Sequence, residues 1–136
     1  MRRVTALFLV LACLGVCLPG CSGSKLNPVQ GQVTWEGQPL EEGTITFRPA
    51  DGKGPSAEAP IVKGQYSVNV KPGDKKVAIQ GYQVEGQRRA SELDPNSPIV
   101  PNRKQIIPPR FSDRDKTELT RKVDPGAGKL DFDLKP

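Results

Sequence analysis

The chain has 136 residues, with 14 Gly, 14 Pro, three Cys, no His and a formal net charge of +5. The length fits one domain, and the Gly and Pro content points to many turns and short elements. A chain without His lacks the commonest general base and the commonest metal ligand, which argues against His-dependent hydrolases and most zinc or iron sites.

Arg2 and Arg3 precede an apolar or small run from Ala6 to Leu18. The run falls short of the roughly 20 residues that span a bilayer and has the length of a secretory signal's apolar core. Leu18-Pro19-Gly20-Cys21 closes it. This resembles the lipobox of bacterial lipoproteins, with Leu three before the Cys and a small residue just before it; Pro19 departs from that pattern. The resemblance implies that the Cys21 thiol receives a diacylglycerol and that the chain is cut before it. Residues 1–20 are then a signal peptide, 21–27 a lipidated Cys and flexible tether, and 28–136 the domain. An ordinary secretory signal cut nearby and an uncleaved anchor are the other readings of the same residues.

Cys13 and Cys17 lie inside the signal, so Cys21 is the single thiol of the mature chain. No intrachain disulfide can form there, and lipidation accounts for one thiol kept in an oxidising compartment. The six residues from Cys21 to Leu26 reach about 13 Å root-mean-square, which holds the domain close to a bilayer. Ser22 fits transfer to an outer membrane under a sorting rule that varies among bacteria, so inner and outer membrane both stay open. Losing Arg2 and Arg3 lowers the net charge to +3. That bias is too mild for a nucleic-acid footprint.

Period-two alternation dominates after Asn27. Val29, Val33 and Trp35 alternate with Gln30, Gln32 and Thr34, and Glu36-Gly37-Gln38-Pro39 reads as a turn. Ile45 and Phe47 mark a second strand, and Gly52 to Pro60 a short loop. Ile61-Val62, a Lys63-Gly64 turn, and Tyr66, Val68 and Val70 follow. After Pro72-Gly73 come Val77 and Ile79, and a phase change to Tyr82 and Val84 predicts a bulge at Gly81. Leu119 and Val123, then Leu130, Phe132 and Leu134, complete about seven strands. No useful helix-period stretch occurs. The pattern predicts an all-β fold, a seven-stranded antiparallel β-sandwich with Trp35, Phe47, Tyr66, Phe111 and Phe132 as its large core residues. Glu85 to Gln105 reads as a long loop, either mobile or partner-binding, with Arg88, Arg89, Arg103 and Lys104 as its candidate contacts.

Val29-Gln30-Gly31-Gln32-Val33-Thr34, Gly37-Gln38-Pro39-Leu40 and Gly43-Thr44-Ile45-Thr46-Phe47 resemble the opening of transthyretin-like and carboxypeptidase regulatory-like domains. Gly64-Gln65-Tyr66-Ser67-Val68 is similar to a later strand of that pattern, and Pro72-Gly73 before Val77-Ala78-Ile79 to its next turn. Ile107-Pro108-Pro109-Arg110-Phe111, Thr117-Glu118-Leu119 and Leu130-Asp131-Phe132-Asp133-Leu134 resemble the ending of small lipoproteins of planctomycete-type bacteria. The resemblance implies a seven-stranded sandwich and no catalytic residues. On the residues themselves, Gly37 and Gly43 read as bracketing a hairpin.

The search for chemistry finds structural roles. Asp131 and Asp133 fall on the outward face of a strand, where solvation is their reading, and Asp113-Arg114-Asp115 lacks the oxygen-rich Gly loop of a Ca²⁺ site. Ser67 and Ser91 have no His to activate them. The expectation is therefore no cofactor, no metal and no enzyme. It is an envelope lipoprotein with a non-catalytic binding or structural domain, held to the membrane by its lipid and facing an envelope protein or polymer. Two alternatives are a transthyretin-like oligomer holding a small ligand and the accessory domain of an envelope enzyme.

Overall fold

A computed structural model describes residues 25–136. Leu18, Pro19, Gly20 and Cys21 lie outside the described residues. The elements run β1 (Asn27–Trp35), β2 (Gln38–Pro39), β3 (Glu42–Pro49), β4 (Ala57–Val62), β5 (Gln65–Val70), β6 (Gly73–Arg89), β7 (Ile99–Gln105), α1 (Pro109–Ser112), β8 (Thr120–Val123) and β9 (Phe132–Leu134). The fold is all-β and sandwich-like. One curled sheet has the order β2-β1-β5-β4-β3-β6-β7, with β8 paired to β6 and β9 to β1.

Two tight turns set the register. Trp35 pairs with Gln38 across Glu36-Gly37, and Val62 with Gln65 across Lys63-Gly64. All four loop residues have positive φ, which matches the right-handed twist of the flanking strands. The alternating positions then meet in one core. Val29 and Val33 of β1, Tyr66 and Val70 of β5, Ile45 and Phe47 of β3, Ile61 of β4, and Val77 and Ile79 of β6 are all 4% exposed or less. Phe47, Tyr66 and Phe132 form an aromatic triangle with ring centroids 6.1, 6.2 and 6.3 Å apart.

The structure departs from the sequence expectation at several points. β9 runs parallel to β1, pairing Val33 with Phe132 and Trp35 with Leu134, so the pairing is not wholly antiparallel. Asp131 and Asp133 are more than solvated: Asp131 Oδ1 accepts the Gln32 backbone N–H at 2.9 Å, and Asp133 Oδ1 accepts from the Thr34 hydroxyl at 2.8 Å. Ala57 to Pro60, expected in a loop, pair with Phe47 to Thr44 of β3. Trp35 and Phe111 are only partly buried at the margin of the core.

Gly81 is not a bulge. It pairs regularly with Gly43 across β3 and β6. A Cβ on Gly43 would stand 2.3 Å from the Gln80 carbonyl oxygen, and one on Gly81 2.6 and 2.7 Å from Leu40 and Ile107 side-chain carbons. The two glycines therefore clear space for Leu40 and Ile107, each 2% exposed, which stopper this end of the core. Gly43 thus serves a close approach inside a sheet and brackets no hairpin. The register shift lies further on, between Val84 and Gln87, where Gly86 takes φ +74°.

The stretch from Glu85 to Gln105 is the largest departure. It is mostly a two-stranded ribbon: β6 continues past its last β3 partner, Tyr82 opposite Glu42, and pairs with β7 as far as Arg89 opposite Ile99.

Candidate functional site

Register fixes which end of the molecule each feature occupies. Asn27 pairs with Val70, and Gly73 with Val123, so the N-terminal tether leaves from the end that also carries the β5–β6 turn. Trp35, Gln38, Glu42 and Tyr82 lie at the other end, about 27 Å away along β1. From there the β6–β7 arm, Gln83 to Arg89 and its partners, extends about 20 Å further. The arm therefore projects from the end opposite the tether.

A groove of ≈ 890 Å³ opens at the root of the arm. Its walls are Trp35, Pro39, Leu40, Val62, Tyr82 and Val84, drawn from β1, β2 and the segment after it, β4 and β6. Val62 and Val84 are 59% and 52% exposed. The β2 turn and the β4–β5 turn are locked together to form its floor. The Gly64 backbone N–H donates to the Leu40 carbonyl at 2.8 Å, and the Lys63 N–H to the Glu41 carbonyl at 2.9 Å. Across the mouth, Arg103 Nε lies 2.8 Å from Glu42 Oε1. This is an apolar cleft with a charged rim, the usual chemistry of a binding site for a small molecule or an extended chain.

Trp35 and Tyr82 are the site residues that sequence reasoning missed. It assigned Trp35 to the core and Tyr82 only to a phase change. Trp35 is the last residue of β1, and Tyr82 stands on the face of β6 opposite to Val77 and Ile79, at that strand's last pairing with β3. A sequence signal existed in the turns next to Trp35, which end the strand there.

The four predicted arm contacts do not form one patch. Arg88 is opposite Val100, which shares its face with Lys104, whereas Arg89 is opposite Ile99, which shares its face with Arg103. Arg103 is opposite Val84, so the Arg89 and Arg103 face is the one continuous with the groove. Arg103 pairs with Glu42, Lys104 with Glu85 at 3.2 Å, and an Arg89 guanidinium N–H donates to the Pro95 carbonyl. The arm's tip is built rather than loose. Ser97, 8% exposed, donates from Oγ to the Ser91 carbonyl at 2.8 Å and accepts the Ser91 N–H at 3.2 Å. The Asp94 carboxylate accepts the Asn96 N–H at 2.9 Å. Leu93 at the tip is 97% exposed and Ile99 54%.

The remaining carboxylate pair is structural. Asp113 Oδ1 accepts the N–H groups of Asp115 and Lys116 at 2.8 and 3.2 Å, which holds its carboxyl below the usual range. Asp115 pairs with Arg48 at 2.9 Å and Arg114 with Glu58 at 2.6 Å, fastening the segment after α1 to the sheet.

No protein-family model and no curated protein matches the chain. Among solved structures it is similar to a 9R-lipoxygenase from Cyanothece PCC8801, at 14% identity and a TM-score of 0.38 over 82% of this chain and 16% of that one. It is also similar to a candidate adhesin from Bacteroides ovatus, at 17% identity and a TM-score of 0.44 over 81% of this chain and 43% of that one. The chain thus spans well under two thirds of either, and likenesses at this level carry no role over to it.

Proposed function

We propose that this is an exported, lipid-anchored protein of the bacterial cell envelope whose β domain binds rather than catalyses, with the groove and arm as its working surface. One observation supports this most: the strand register sets groove and arm at the end opposite the tether. A chain held at Cys21 presents them outward from the membrane. The sequence supports the anchor through Leu18 to Cys21 and the missing charge-relay chemistry through its lack of His. The groove supplies aromatic and aliphatic walls with one ion pair at the rim, which suits recognition of a partly apolar segment of an envelope protein or polymer.

Mass spectrometry of the mature N-terminus tests the anchor. The expected terminus is a diacylglyceryl-modified Cys21, lost in Cys21→Ser; an unmodified terminus elsewhere overturns it. A photo-crosslinking residue placed at Val84 or Leu93, compared with one at Lys122 on the tether end, tests the working surface in intact cells. Discrete adducts are expected at the first two positions. Adducts only at Lys122, or none at Val84 and Leu93, would sink the reading.

A further inference from the structure

Among the described residues, five large apolar side chains are more than half exposed, and four of them, Val62, Val84, Leu93 and Ile99, belong to the groove and the arm. Register lines them up. Val62, Glu42 and Tyr82 stand side by side on the outward face of β4, β3 and β6. Val84 follows Tyr82 on that face, opposite Arg103, and Pro101 and Ile99 follow Arg103 along β7. A mixed strip of apolar, Gln and Arg side chains thus runs from the groove toward the tip, where Leu93 is 97% exposed. The Ser97–Ser91 and Asp94–Asn96 hydrogen bonds brace the loop that carries it.

The arm offers these side chains rather than its backbone. On the outer edge of β7, Pro101 has no N–H to give, and on the outer edge of β6 the irregularity at Gly86 interrupts the row of free groups. An added strand is therefore a poor occupant of this end, and an apolar side chain seated in the groove a good one. The chain makes both halves of such a contact, a Leu knob at the tip and an apolar socket at the root. It cannot join them by itself, because they lie about 20 Å apart along a paired ribbon. Two copies with their arms antiparallel join both at once. Knob and socket are separated by the same length in each copy, so one two-fold axis satisfies both contacts and closes the pair. That axis crosses the middle of the arm, where the row of Gln87 and Pro101 carries no charge. The groove's walls have Glu41 and Glu42 against Lys63 and Arg103, so Glu92 and Asp94 of the tip meet no net like charge there.

We propose that the groove's occupant is the arm tip of a second copy of this chain, with Leu93 seated against Trp35, Pro39 and Val62 and the two arms antiparallel. This rests on groove and arm being the working surface and names the partner they take. The tethers of such a pair leave from opposite ends. Under the anchoring reading the pair therefore joins two facing membranes, which copies standing side by side in one membrane do not.

Sedimentation equilibrium of the full chain in density-matched detergent tests the pair. A monomer–dimer equilibrium is expected. Leu93→Asp at the knob and Val62→Lys at the socket, both at exposed positions that the fold tolerates, each raise the dissociation constant about tenfold or more, while Lys122→Gln leaves it unchanged. In a mixture of isotope-labelled and unlabelled chains, NMR contacts are expected between the Leu93 methyls of one copy and the Trp35 ring of the other. A monomer at every concentration up to about 1 mM, or a dimer that neither variant weakens, overturns the inference. A chain that stays monomeric while Val84 and Leu93 crosslink to other proteins in cells overturns it too, and leaves the working surface standing. Phosphatidylcholine vesicles carrying the lipidated chain are expected to cluster, by light scattering, and those carrying Leu93→Asp to stay dispersed. Dimers in detergent without clustering of vesicles overturn the joining of membranes alone.

Discussion

Tyr66 shows how a single residue joins strands far apart in sequence. Its ring packs between Phe47 and Phe132, and its hydroxyl donates to the Leu130 carbonyl at 2.7 Å. Burial, then the negative charge of Asp131, pushes the phenol well above its ordinary value, so it stays a donor throughout the accessible pH range. Tyr66→Phe should lower unfolding free energy by about 1 kcal/mol, read from urea melts, because it strands a half-buried carbonyl. Asp131 behaves in the opposite sense. The Gln32 N–H, then Lys129, favour its ionised form and hold its carboxyl below the usual range. Its stabilisation is therefore complete at neutral pH and is lost as pH falls through the carboxylate range. Urea midpoints should drop between neutrality and about pH 3, and Asp131→Asn should flatten that slope without abolishing it, since Asp113 titrates in the same sense. The glycine pair gives a sharper contrast. Gly43→Ala meets a backbone oxygen that cannot yield, whereas Gly81→Ala meets the end of the Leu40 side chain and Cγ1 of Ile107, side-chain atoms that repacking can shift. Both should destabilise by about 1–3 kcal/mol, Gly43→Ala more, as compared by chemical denaturation. Sequence alone marked both glycines but misread them, since a missing Cβ serves turns and close approaches equally well.

Among the elements, the hairpins were legible and the arm was not. Lys63-Gly64 and Glu36-Gly37 carry their conformation in their own residue types. Gln83, Glu85, Gln87 and Arg88 are polar on both faces, because a two-stranded ribbon with no sheet beneath it has no apolar side to reveal. Pro98 and Pro101 strengthened the impression of a loop, although a proline whose missing N–H points off the ribbon costs it nothing. The same exposure predicts independence from the core. Replacing residues 86–102 with a two-residue turn should leave the thermal midpoint within a few degrees of the parent by circular dichroism, since Leu40 and Ile107 seal the core on their own. A loss of cooperative melting would show instead that the arm supports the sandwich.

Across the whole molecule, period-two patterning was enough for the all-β class and for most of the buried set. Three of the five large residues named from it, Phe47, Tyr66 and Phe132, are in the core. The pattern does not carry the direction of pairing, so nothing local to Phe132 or Leu134 distinguished a parallel partner from an antiparallel one. The groove was illegible for a related reason: Val62, Tyr82 and Val84 lie on the outward face of the sheet, and only the tertiary fold brings Trp35 and Leu40 beside them. β9 is only three residues long, yet Phe132 and Leu134 are each 2% exposed. Phe132→Ala should cost about 3–5 kcal/mol, a large fraction of the stability of a small domain, measurable as a shift in the denaturation midpoint.

The seating of β9 on β1 also governs when the domain can form. Val33 and its partner on β9, Phe132, are both buried, yet they stand at opposite ends of the described chain. Until residues 132–134 have left the exit tunnel, β1 lacks its neighbour along Val33 to Trp35 and the aromatic triangle lacks a corner. Completion of the sheet therefore waits for β9, and the pairing of segments so distant in the chain must still be found. Under the export proposed above, that closing step keeps the nascent chain threadable until β9 has been made.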